Sequence, residues 1–170
     1  MQTMEDLQRQ GRRGGFVAGL TGGLAMLLFD VFVNGDPSLV MKAASIPLLQ
    51  ARAVTPGFDL LAIVLGLLIH FGIAVFWGIA FGTRAIGIAK IPTAVAGPIW
   101  GVFVWAMMMY VVLPMADLVD VTRSMPVTTA ILRHVVFGLA LGLGFLPYQV
   151  TLDQPSWRTI QVPGHRSVRA

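Results

Sequence analysis

One stretch, Leu60 to Gly82, limits what this chain can fold into more than any other. It reads LLAIVLGLLIHFGIAVFWGIAFG, apolar throughout except for a single imidazole, His70. A helix rises about 1.5 Å per residue, so this run is long enough to cross a hydrocarbon layer of roughly 30 Å. The 170 residues are 56% hydrophobic and only 12% charged, which points to an integral membrane protein. Soluble domains carry about 25% charged residues. His70 then lies near the middle of the bilayer, where an ionisable group is costly and marks a packing partner or a site.

Three further apolar runs repeat the pattern. The expected fold class is all-α, an integral membrane four-helix bundle with spans at about 15–33, 60–82, 92–113 and 127–146 inside one membrane domain, 14–147. Arg12 and Arg13 precede the first run, but no A-x-A-like site closes it, so it reads as a span rather than a leader. Residues 1–13 form a polar N-terminal segment in which Thr3 and Asp6 could cap a short helix. Residues 34–57 are too polar to cross. Asp36 and Pro37 make a good helix start there, and Pro47 should bend or break a surface helix over Pro37–Gln50. Residues 148–170 form a polar tail, and from Pro147 onward no apolar periodicity is left, so an extended or disordered chain is expected.

The basic residues set the orientation. Arg9, Arg12, Arg13, Arg84, Lys90, Arg158, Arg166 and Arg169 fall on one side, and Lys42, Arg52 and Arg123 on the other. That imbalance places both termini, and the tail, in the cytoplasm, and makes 34–57 an extracytoplasmic surface segment. The net charge of +4 therefore reads as a topology signal rather than a nucleic-acid footprint. There is no cysteine, which removes disulfides and thiolate metal sites.

Membrane helices associate where small residues let backbones approach. Each span carries such a line: Gly15, Gly19 and Gly23; Gly66, Ala74, Gly78 and Gly82; Gly97 and Gly101; Ala130, Gly138 and Gly142. Residues four apart share a helix face. His70 lies on the second line, His134 on the fourth, and Asp30 on the continuation of the first, so all three should face neighbouring helices.

HFGIAVFWGIAFG in span two, GPIWGVFVWAMMMYVVLPMAD in span three and RHVVFGLALG in span four resemble the YagU-like family of small bacterial inner-membrane proteins and its uncharacterised relatives. The resemblance covers roughly Gly14 to Pro147 and rests residue by residue on His70, His134, Pro114 and the glycine lines. It implies four spans and a bacterial inner-membrane location, and no established chemistry.

His70 and His134 are the obvious chemical pair, about 15 Å and 10 Å below the outer ends of their helices at the helical rise. Two facing imidazoles could ligate a b-type haem, hold a metal or bind a quinone; the plainer reading is hydrogen bonding between helices. Asp30 and Arg133 could form an ion pair. Together with the two histidines they could form one polar pocket for an anion, a quinone head group or a proton. Met107, Met108, Met109, Met115 and Met125 raise a thioether copper site, but three consecutive methionines point in three directions. Trp77 suits an aromatic belt, and Trp157 could anchor the tail. No Walker A loop, G-x-G-x-x-G, HExxH or G-x-S-x-G is present.

The functional expectation is a membrane protein without catalysis, cofactor or metal of its own, partnered by the bilayer and by other membrane subunits or itself, and not by nucleic acid. It would serve as an accessory or assembly subunit or as a homo-oligomer. A different class of reading is haem b, quinone or metal binding through His70 and His134. A third is an oligomeric channel or proton carrier.

Overall fold

A computed structural model of the protein describes residues 3–118 and 126–150. Among these the structure is all-helical. Four helices are long and apolar enough to cross a membrane: Met4–Asn34, Leu60–Ala85, Lys90–Met115 and Val127–Tyr148. We call the regular helical parts of the first two α1 (Met4–Asn34) and α5 (Leu60–Ala85). Between them lie α2 (Pro37–Lys42), α3 (Ile46–Leu49) and α4 (Ala51–Val54). The third span comprises α6 (Lys90–Met107), a π-helical turn over Met108–Val112 and α7 (Leu113–Met115); the fourth begins with α8 (Val127–Phe145). The protein is a multi-pass membrane protein.

The Thr3–Asp6 capping box expected from the sequence is present, but it does not start a separate short helix. It starts α1 itself. Nothing between Asp6 and Phe16 breaks a helix, and Gly11, Gly14 and Gly15 are supported by neighbours rather than exposed. At 31 residues α1 is about 46 Å long, so its first turns, with Arg9, Arg12 and Arg13, project beyond a 30 Å layer. Gly35 ends the helix at φ 71°, a left-handed cap that suits glycine, with its N–H on the Val31 carbonyl.

The spans pack as two glycine-sealed pairs. In the first, α1 lies against α5 with backbone on backbone. A methyl group added to Gly11 would stand 2.8 Å from the Gly82 carbonyl oxygen, and one on Gly19 2.7 Å from that of Ala74. Gly15 and Gly78 face each other in the same seam, and Gly23 meets Ala74 and Phe71. In the second pair α6 lies against α8: Gly97 faces Gly138 and Gly142, and a methyl group on Gly138 would stand 2.9 Å from the Gly101 Cα. The pairs join where α1 meets α8 through Ala18, Phe137, Leu141 and Phe145, all buried. Phe137 fits over Gly22, and Phe145 over Gly14.

Spans two and three are consecutive yet meet chiefly through aromatic rings. Trp77 and Trp100 touch edge to face with centroids 6.1 Å apart, and the Trp100 indole donates to the Trp77 carbonyl at 3.3 Å. Phe103 packs on both of these rings, and Phe81 on that of Trp100.

Other expectations need correction. Gly66 does not meet another span: it faces the backbone of Met41 and Lys42, because the segment after α1 folds back onto α5. That segment caps at Asp36 as expected, and its α-helix gives way to a 3-10 turn at Ala43–Ser45 ahead of Pro47. Lys42, counted on the sequence among the basic residues of the outer side, is fully buried. Its ammonium donates to the Thr55 carbonyl at 2.6 Å and the Gly57 carbonyl at 2.8 Å, stapling the segment shut. The tail also begins later than expected. Leu146–Tyr148 form a 3-10 turn, and the Gln149 amide donates to Ala85 at 2.7 Å and Thr93 at 2.5 Å while its oxygen accepts from the Gly87 N–H at 3.2 Å. Gln10 reaches the Tyr148 carbonyl at 3.1 Å, so both described ends of the chain lie at one end of the helices. Asp120, Arg123, Met125, Trp157, Arg158, Arg166 and Arg169 lie outside the described residues.

Candidate functional site

His134 sits in the middle of α8 and is 6% exposed. Its Nδ1 lies 2.7 Å from the Ala130 carbonyl one turn earlier. A carbonyl only accepts, so Nδ1 carries the proton and, in the neutral ring, Nε2 is left as an acceptor. His70 is half-buried on α5, edge-on to Phe71, and its Nε2 donates to the Gly23 carbonyl of α1 at 2.8 Å. The neutral ring there keeps Nδ1 as its acceptor. Neither remaining nitrogen has a hydrogen-bond partner among the described residues.

Both imidazoles line one cavity of about 150 Å³. Its other walls are Met26 of α1, Ile73, Ala74 and Trp77 of α5, Val104 and Met108 of the third span, Phe137 of α8, and Ala44 above. It exists because the aromatic contact between spans two and three cannot close as tightly as glycine on glycine. The third span contributes a further irregularity here. From Met108 it winds as a π-helix, with the Leu113 N–H on the Met108 carbonyl five residues back, just before Pro114, which has no N–H to offer. Single π turns recur at functional sites, and this one begins at a residue of the cavity wall.

Asp30 and Arg133 pair as expected, Arg133 Nε to Asp30 Oδ1 at 3.4 Å, with both side chains largely buried. They do not join the histidines in one pocket. They line a separate space of about 350 Å³ under the connecting segment, with Asn34, Asp36, Val40 and Ile46. The reason is helical geometry: consecutive residues project about 100° apart, so Arg133 and His134 face different cavities. Asp36 lies at that second space, where the Ser38 hydroxyl and the Leu39 N–H hold its carboxyl below the usual carboxylate range.

The histidine cavity does not fit haem. Axial ligation by the two rings would need room for the whole macrocycle between them. A space near 150 Å³ holds a single six-membered ring rather than a macrocycle. Among the described residues no group of three or more His, Asp or Glu side chains could hold a metal ion. Of the methionines among the described residues, only Met108 and Met26 line the cavity, and Met115 is 84% exposed. The clamps made by Lys42 and Gln149 were missed on the sequence; each is a lone polar residue in a connecting stretch, with nothing in its spacing to mark a partner.

Four membrane-spanning helices with a histidine from each of two spans on one apolar cavity define a small polytopic membrane protein with a candidate ligand site. The chain belongs to the family of unknown function DUF6789, whose model matches residues 10–155. No curated protein and no solved structure matches it.

Proposed function

We propose that the protein binds a single-ring amphipathic molecule of the quinone class in the cavity between His70 and His134, without catalysis of its own. The observation that carries this is the shared cavity: two imidazoles from different spans border an otherwise apolar space, each with its proton already committed to a carbonyl. Ligand sites of this kind are mostly apolar with a few polar groups that fix orientation. Because the neutral rings offer acceptors, the favoured ligand presents hydroxyl groups, so the reduced quinol form binds better than the quinone. The proposal includes a bacterial inner-membrane location with both termini cytoplasmic, supported by the distribution of Lys and Arg, and a relationship to the YagU-like proteins, supported by the four spans and both histidines.

The test is titration of the purified full chain with a short-chain quinol and its quinone, followed by Trp77 fluorescence. His134→Leu should weaken quinol binding about tenfold, the loss of one buried hydrogen bond. Equal affinity in the wild type and in both His134→Leu and His70→Leu would remove the reading.

A second reading, accessory or assembly subunit, draws on the connecting segment, where Leu48, Val54 and Phe58 are 64%, 56% and 80% exposed. The glycine lines no longer favour it, since they face inward. Charged substitutions at Leu48 and Phe58 should then change which proteins co-purify; an unchanged set would count against it.

A further inference from the structure

Beyond the histidine cavity, the same loose seam between spans two and three opens a second time, toward the end that carries both described termini. There Phe81, Ala96, Ile99, Trp100 and Phe103 line an apolar groove of about 240 Å³ with one charged residue, Arg84, at its wall. The contact of Trp77 with Trp100 stands between the two openings, so the groove is separate from the ligand cavity.

Arg84 is held in place from two sides. One guanidinium nitrogen donates to the Ala80 carbonyl at 2.8 Å, and the group lies 5.9 Å from the centre of the Trp100 ring. A guanidinium has five N–H donors, so the others remain for a ligand. The link from Thr83 to Ile91 holds a second cation, Lys90, and no carboxylate. An apolar slot against lipid, with a fixed cation at the level where the span ends, complements an acyl chain joined to an anionic head group. Neutral lipid would fill the slot equally well but would leave the guanidinium without an anion.

We propose that this groove is a binding site for one anionic glycerophospholipid, an acyl chain lying along Ala96, Ile99 and Phe103 and the phosphate resting on Arg84. Basic pockets between membrane helices recognise such head groups, and one cation near the surface contributes on the order of fivefold in local lipid occupancy.

Trp100 lines the groove and reports on it directly. The full chain is placed in nanodiscs in which either phosphatidylglycerol or phosphatidylcholine carries brominated acyl chains, at equal mole fraction and identical overall composition. Brominated phosphatidylglycerol should quench at an apparent local concentration about fivefold above that of brominated phosphatidylcholine. The excess should vanish in Trp100→Phe, which removes the reporter, and in Arg84→Gln, which removes the cation. Ala96→Leu fills the slot with the charge intact and should also abolish it. Equal quenching by the two lipids in the wild type, or an excess that survives Arg84→Gln, overturns the site.

Discussion

The seam between spans one and two and the seam between spans two and three share a helix but obey different rules. Along the first, Gly15, Gly19, Gly78 and Gly82 bring backbones together so closely that no side-chain atom fits between them. Along the other, Trp77, Phe81, Trp100 and Phe103 keep the helices apart. Helices that meet through glycine leave no space. Helices held apart by rings leave space wherever the rings end, and both the histidine cavity and the arginine groove lie at such places. In a bilayer there is no hydrophobic drive to collapse these gaps, because lipid is as apolar as leucine. The tight seams therefore hold the fold together, and the loose seam is free to hold ligands.

The most forceful way to break this division is to put a side chain into a tight seam. A methyl group on Gly78 would stand 2.5 Å from the Gly19 Cα, where nothing can give except the helix backbone. Gly78→Val should cost about 3 kcal/mol or more, the upper range for overpacking. Gly138→Val should do the same to the other pair. Gly72, six residues before Gly78 on the same helix, has nothing within 4 Å of an added methyl group. Gly72→Val should stay within about 0.5 kcal/mol of the wild type. Reversible unfolding in bicelles measures all three, and equal losses at Gly72 and Gly78 would mean that the seams do not carry the stability.

The next effect concerns the roof over the loose seam. Ala44 closes the histidine cavity from above, and its position depends on Lys42, whose buried ammonium binds two carbonyls of the following turn. Lys42→Met keeps the length of the side chain and leaves both carbonyls unanswered. It should destabilise the segment by about 2–3 kcal/mol. Hydrogen exchange should then rise over residues 43–57 and stay unchanged along α1 and α8. Protection that falls everywhere together would show that roof and helices unfold as one unit.

How much of this could be read from the sequence follows the same division. The spans are visible because their length and apolarity are set by the bilayer. The contact faces are visible because glycines recur every four residues, and the inward facing of His70, His134 and Asp30 follows from those lines. What a line does not state is its partner. Gly66 has the same spacing as Gly78, yet it faces Met41 and Lys42 of a connecting segment rather than a span. Nor does the sequence say which seam stays open, since that depends on which helix each glycine face finds. The Asp30–Arg133 pair was legible as a pair but not as a cavity apart from the histidines. Lys42 and Gln149 were illegible for a simpler reason: a lone polar residue in a connecting stretch carries no periodic mark, and its burial depends on a chain that folds back over it.

The smallest expected effect tests whether the roof is also held at its far end. Arg52 and Asp59 form a two-bond ion pair in the connecting segment, and Asp59 caps α5 by accepting from the Ala62 N–H at 3.1 Å. The Arg52 hydrogen bond, with the capping amide, holds the Asp59 carboxyl below its usual value, and the same pair raises Arg52. The sign follows from linkage. A carboxyl lowered in the folded state contributes stability that is complete above its unfolded value of about 3.9. That contribution declines as pH falls below this value and is gone once the pH has passed through the lowered folded value. The segment should therefore loosen only in acid, below about pH 4, seen as faster proteolysis within residues 43–57. Asp59→Asn, which can still cap the helix but cannot titrate, should flatten that part of the profile. Because the pair is exposed to solvent and screened, the shift should be much smaller than that of Lys42→Met. An acid response of the same size in Asp59→Asn would assign it to another group and leave Lys42 as the main fastening of the roof.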